Sequence, residues 1–229
     1  VFSISTFPYE SPLLPESNTH EGNLDGRLKI LWKPTKALRV EVHPTLTAIE
    51  KPSFGSGIQS GVGAHRDEAI PMSLELVDNE DSLVRTRLDR ANLRWDLKEL
   101  RFTFGRQAIT FGTGQIFTPL DLVAPFLPTT LDTSYKPGVD AIRTDLFRGS
   151  SGRLTFLAAY LSDWDLDGSA FVFQGQENLG DWQLEAFAGS VHGDTLLGGS
   201  AFFDSGDIGY YGDLNLTLAD DENFIRFVA

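Results

Sequence analysis

Charged side chains at every second residue are the groups in this chain that could act on a solute. Arg27 and Lys29 stand two apart, as do Arg39, Glu41 and His43. Arg90 and Arg94 flank Asn92, Arg101 follows in the next segment, and Arg143 and Asp145 in the one after. The residues between them are mostly apolar, so each set lies on one face of a strand. Two readings follow. Rings of charge in a pore wall select solutes by potential. Alternatively, the same residues form cross-strand ion pairs that hold a polar wall together.

A second group opens a long connection. Leu100, Phe102 and Phe104 oppose Arg101 and Thr103, and the strand pattern ends at Arg106-Gln107. Strict alternation puts Arg106 on the apolar side unless a bulge at Gly105 turns it, and glycine within a strand often marks a bulge. Arg106 otherwise serves as an anchor for the loop, because guanidinium has several donors suited to carbonyls. Residues 108–137 follow, rich in Gly and Pro yet apolar. Such a segment is too apolar to float in water, so it is expected to fold into the interior of whatever the strands enclose. Pro119, Pro125 and Pro128 reduce the entropy lost on ordering. Asp121 and Asp132 are then expected to face Arg90, Arg94, Arg101 and Arg143 across a constriction.

A third group, Asp163-Trp164-Asp165-Leu166-Asp167-Gly168, matches the start of a calcium loop. It departs from the full loop: position 12 is Gln174 rather than Glu, and the flanks read as strands. The alternative is a polar hairpin tip, where Asp and Gly are favoured. Apart from this calcium option no cofactor is expected. Nor is catalysis: His20, His43, His65 and His192 show no ligand spacing. There is no nucleophile elbow, P-loop or dinucleotide fingerprint. With no cysteine, disulfides and thiolate metal sites are excluded.

The elements that must position these groups are strands. Period-2 alternation recurs from end to end, about a dozen times, and no segment shows helical spacing with caps. Connections 34–36, 96–99, 148–152, 177–181 and 204–207 are short. They alternate with 8–22, 50–82, 108–137, 162–168, 192–195 and 219–222, of which the first three are long. The expected fold is all-β, an antiparallel up-and-down meander. Short turns at one end and long loops at the other are the pattern of a transmembrane β-barrel. The chain reads as one domain over residues 1–229 and as a piece of a longer barrel.

Net charge is −13, which argues against nucleic acid as a partner. The charge is uneven. Residues 1–153 hold 18 bases against 19 acids, whereas residues 154–229 hold one base, Arg226, against 13 acids. No apolar run is long enough for a spanning helix. A soluble sandwich buries the apolar face and wets the polar one, and a membrane barrel reverses this. Trp32, Trp95, Trp182, Phe203, Tyr210 and Phe224 at strand ends, taken as apolar-face residues, favour interfacial girdles and hence the barrel.

The run Phe104-Gly105-Arg106-Gln107-Ala108-Ile109-Thr110-Phe111-Gly112-Thr113-Gly114, followed by Thr118-Pro119-Leu120-Asp121, resembles bacterial outer-membrane porin-like families. In those, a strand ends in Gly-Arg-Gln, passes an aromatic-Gly pair and enters a long loop carrying Pro and Asp. The resemblance implies a channel in the outer membrane of a Gram-negative-type bacterium. Its partners would be the lipid bilayer and small polar or charged solutes, and oligomerisation is left open. The competing expectations are a non-conducting structural or adhesive barrel and a soluble carbohydrate-binding β-protein.

Overall fold

The computed structural model describes residues 2–9, 19–50, 68–79, 81–112, 123, 135–163, 165–206, 208–219 and 223–228. Among these every regular element is a strand. They are β1 (Phe2–Tyr9), β2 (Thr19–Arg27), β3 (Ile30–Trp32), β4 (Leu38–Glu50), β5 (Ser73–Asp78), β6 (Ser82–Leu97) and β7 (Leu100–Gln107). After the long connection come β8 (Val139–Arg148), β9 (Gly152–Tyr160), β10 (Ser169–Leu179), β11 (Trp182–Val191), β12 (Asp194–Asp204), β13 (Gly209–Leu218) and β14 (Asn223–Val228).

All pairings are antiparallel, and the strands follow one another across a single sheet. The meander expected from the repeated short turns is therefore what the chain forms. Two short strands sit off the main path. β3 extends the row of β2 along β4, and β5 extends the row of β7 along β6. The sheet runs from β1 to β14 without the two meeting, so among the described residues it is open. Residues 50–82, expected as one long connection, contain β5, whose pattern of Leu74, Leu76 and Val77 is too short and irregular to stand out.

Tight turns close the hairpins in the way their residues allow. Lys98, Gly149, Gly180, His192, Gly193 and Gly206 adopt the left-handed backbone that these reversals need. In the turn between β11 and β12, His192 and Gly193 are consecutive left-handed residues, the pattern of a two-residue hairpin loop.

Through the middle of the sheet and toward the short turns the faces divide by polarity, with polar side chains buried and apolar ones exposed, whereas nearer the long connections the buried face carries an apolar cluster. One row across the sheet, paired strand to strand, is Arg101, Asp145, Thr155, Gln174, Phe187, Gly198, Asn215. Asp145, Thr155, Gln174 and Asn215 in that row are buried. The adjacent row on the other face is Phe102, Thr144, Phe156, Phe173, Ala188, Leu197, Leu216, Ile225. Phe173 is 54% exposed and Ile225 65%, and Ile142 and Leu214 on the same face are half-exposed as well.

The edge aromatics lie mostly as expected. Trp95 packs beside Phe102, and Trp182, Phe203 and Tyr210 form a chain of rings at 4.8 and 6.2 Å, all on the apolar face near the short turns. Phe224 is a correction. It pairs with Thr217 and so shares the polar face, where Arg226 lies over its ring, while Ile225 and Phe227 take the apolar face.

Candidate functional site

The site is the polar face from β4 to β9 together with the described ends of the long connection. At the short-turn side, Arg94 and Arg101 share one carboxylate, Asp96, at 2.9 and 2.7 Å. Arg143 binds Asp145 at 2.9 Å, and Thr155 donates to the same carboxylate at 2.7 Å. Arg101 also lies over the Phe147 ring. Glu41 pairs with His43 on its own strand at 3.1 Å. Arg39 stands directly across from Arg94, and among the described residues no carboxylate pairs with it. Like charges directly opposite are unfavourable. Most of the ladder's arginines are thus held in ion pairs, and a cationic surplus stands where Arg39 meets Arg94.

Nearer the long connections the backbone departs from the ideal ladder. Between β4 and β6 the register slips: His43 pairs with Arg90 and Pro44 with Leu88, so Asp89 has no partner across the strand. Two successive residues, Asp89 and Arg90, are both buried there. The Asp89 carboxylate receives Arg90 at 3.0 Å and Arg27 from β2. Such a bulge adds one residue and re-aims side chains.

Gly105 makes the second departure. Its backbone is left-handed (φ 99°), and an added Cβ would lie 2.3 Å from the Ala91 carbonyl oxygen. After this glycine Arg106 is only 1% exposed, so it does not join Phe102 and Phe104 as strict alternation would have it. Its guanidinium binds Asp140 through Nε at 2.9 Å and Nη2 at 2.8 Å, and Glu68 through Nη1 at 2.9 Å. It also donates to the carbonyls of Leu88 and Ile70. Asp140 in turn accepts from the amides of Ala69 and Ile70, and Glu68 also takes Arg87 at 3.1 Å. One fixed fork of donors thus ties β6, β7, β8 and the approach to β5 together. Gln107 donates to the carbonyls of Thr103, Gly105 and Ala141. Both residues act as anchors at the loop mouth.

Past Gln107 the chain turns onto the polar face. Ile109, Phe111 and Val123 are buried in one apolar cluster with Val139, Ala141, Leu157, Ala159, Ala170, Val172, Phe187, Val191 and Leu196. Phe111 stacks on Phe187 with centroids 6.3 Å apart. At the other end, Tyr135 lies under Arg27 and Lys29, and Lys29 donates to its hydroxyl. Arg90 donates to the Lys136 carbonyl. The described parts of the connection thus lie against the polar face, the side on which the ladder stands. Asp121 and Asp132, expected at the constriction, lie outside the described residues.

Asp163, Asp165 and Asp167 are placed in a tight reversal. Asp165 caps the amide of Gly168 at 2.7 Å, and the Asp167 carbonyl meets the His192 ring at 3.2 Å. Among the described residues no group of three potential ligands gathers to hold a metal ion. Asp165 here serves its own backbone, as Asp does in turns.

Glu68, Arg87, Asp89, Asp96 and Asp140 were missed as site residues. Asp89 did carry a signal: an acid beside Arg90 breaks the alternation of β6. Glu68 carried none, since it lies in a polar stretch far along the chain from Arg106. Compared with known families, curated proteins and solved structures, the chain matches none.

Proposed function

We propose that this sheet is part of a β-barrel in the outer membrane of a Gram-negative-type bacterium and forms a channel for small polar or charged solutes. The observation that carries the reading is the inverted burial: Asp145 and Asn215 are buried while Phe173, Leu214 and Ile225 are exposed. Water would penalise an exposed apolar face of this extent, and a bilayer would favour it. The polar face then lines the lumen, with Arg39, Arg94, Arg101 and Arg143 on its wall. The described residues of the long connection, Ile109, Phe111, Val123 and Tyr135 among them, pack on that face and narrow the passage. The cationic surplus around Arg39 and Arg94 favours anions or the anionic end of zwitterions.

Planar-bilayer conductance of the purified protein tests this. Ion-selective channels are expected, and replacing residues 118–130 with a short Gly-Ser linker is expected to raise single-channel conductance. Failure to partition into detergent micelles or lipid would overturn the membrane assignment. One observation favours a second reading: Ile109, Phe111 and Val123 seal an apolar patch on the face that would line the lumen. A folded, lipid-inserted protein without conductance would make this a plugged structural barrel.

A further inference from the structure

We infer that Asp89 and Arg90 are the positioning residues of the long connection: the slip in register between β4 and β6 exists to seat its returning end. The inference rests on the channel reading only for its consequence in conductance. The two ends of residues 108–137 are held differently. The outgoing end is held by apolar packing, through Ile109, Phe111 and the Phe187 ring. The returning end, residues 135–138, is held by charge and hydrogen bonds. Asp89 accepts from the Gly138 amide at 3.3 Å, and Arg90 donates to the Lys136 carbonyl. Arg27 binds Asp89 and covers Tyr135, so it joins the same grip.

A regular ladder would not build this arrangement. With side chains alternating, adjacent residues point to opposite faces. The extra residue in β6 lets Asp89 and Arg90 both reach the returning end, and their own contact at 3.0 Å holds each in place. The fit is close. A Cβ on Gly138 would lie 2.0 Å from the Asp89 carbonyl oxygen and 2.6 Å from the Arg106 Cγ. Glycine at 138 is thus needed for the returning chain to lie flat against β6. Tyr135 is drawn over Arg27 and Lys29 by the same seating, which brings a ring and two cations to one place on the polar face.

The test uses the absence of cysteine in the chain. In Lys136→Cys the introduced thiol is the only one, and the backbone carbonyl at 136 that accepts from Arg90 is kept. The position is buried in the parent, so alkylation of the folded protein in detergent by a charged maleimide is expected to be slow. Adding Asp89→Ala, or separately Arg90→Ala, is expected to speed alkylation by about ten-fold, the effect of losing one charge-assisted contact on local opening. Asp96→Asn, a charge removed from the same strand but away from the loop, is expected to leave the rate unchanged. Should Asp89→Ala not fold, Asp89→Asn retains an acceptor for Gly138 and is expected to give a smaller acceleration. An unchanged rate in a folded Asp89 variant would overturn the inference whether or not the protein conducts. Equal acceleration by Asp96→Asn would overturn it too, since the effect would then be general loosening. Loss of conductance with the alkylation pattern intact would count against the channel reading alone.

Discussion

Strands β6 to β8 and strands β10 to β13 build the same polar face by different means. In the first region the face is made of guanidinium groups matched to carboxylates: Arg106 to Asp140 and Glu68, Arg90 and Arg27 to Asp89, Arg94 and Arg101 to Asp96. Its backbone is irregular, with a register slip at Asp89 and a left-handed glycine at 105. The second region contains no Arg or Lys: its polar face carries amides, hydroxyls and the carboxylates of Glu185 and Asp213. Gln174 donates to Glu185 at 3.0 Å, and Asn215 donates to Thr217 two residues along its own strand at 3.1 Å. Its registers from β10 to β13 run without a slip. The difference follows from geometry. A small amide or hydroxyl reaches only its nearest neighbours, so the ladder stays regular, and where no neighbour serves, as at Ser200 Oγ and Asn215 Oδ1, the buried atom is left without a partner. A guanidinium has donors for several elements at once, and placing them costs a bulge or a special glycine. The irregular region is also the one from which the long connections leave, and its arginines reach the carbonyls of Ile70, Leu88 and Lys136.

The sharpest way to break this contrast is Arg106→Ala. It leaves the largely enclosed Asp140 carboxylate without its cation and Glu68 with Arg87 alone, and a loss of about 3–5 kcal/mol is expected in urea unfolding of the lipid-inserted protein. A cost below that of an ordinary surface substitution would mean that the network is not what fastens the first region. The next effect tests the second region through its other face. Leu214→Arg, on an exposed apolar position, is expected to cost about 2–4 kcal/mol if the site lies near the bilayer midplane. Insertion and folding as good as the parent's would reverse the assignment of faces.

Gly105→Ala is expected to cost about 1–3 kcal/mol from backbone strain, with the clash against Ala91 adding to it. Glycine-to-alanine changes at Gly175 in the regular region, where the nearest atom stands 3.5 Å from the added Cβ, should cost clearly less. Equal costs, measured in the same denaturation series, would remove the distinction between the two backbones. The smallest effect on stability is expected from Asp96→Asn, under about 1 kcal/mol because the pair is partly exposed. It is also the most informative for function. Freeing Arg94 and Arg101 should shift the reversal potential toward anions, and replacing both arginines with Ala should shift it the other way. A reversal potential that ignores both changes would take these residues off the solute path.

The sequence by itself determined most of the strands, their order and the two faces along most of them; β5 and the face of Phe224 escaped it. Alternation in Leu100-Arg101-Phe102-Thr103-Phe104 or in Leu214-Asn215-Leu216-Thr217 is a local property, set by the opposite directions of successive side chains. Short turns at Gly149, Gly180 and Gly206 likewise follow from neighbouring residues, and short turns between antiparallel strands leave a meander as the simplest path. Alternation could not say which face is buried, because a sandwich and a barrel share it. Tertiary structure decided that, along with every contact between residues distant in the chain. Glu68 meets Arg106, Tyr135 meets Lys29 and Phe111 meets Phe187 only because the sheet brings their strands side by side. The slip at Asp89 belongs to the same class: it is a relation between β4 and β6, and a pattern read along one strand has no record of its partner's register.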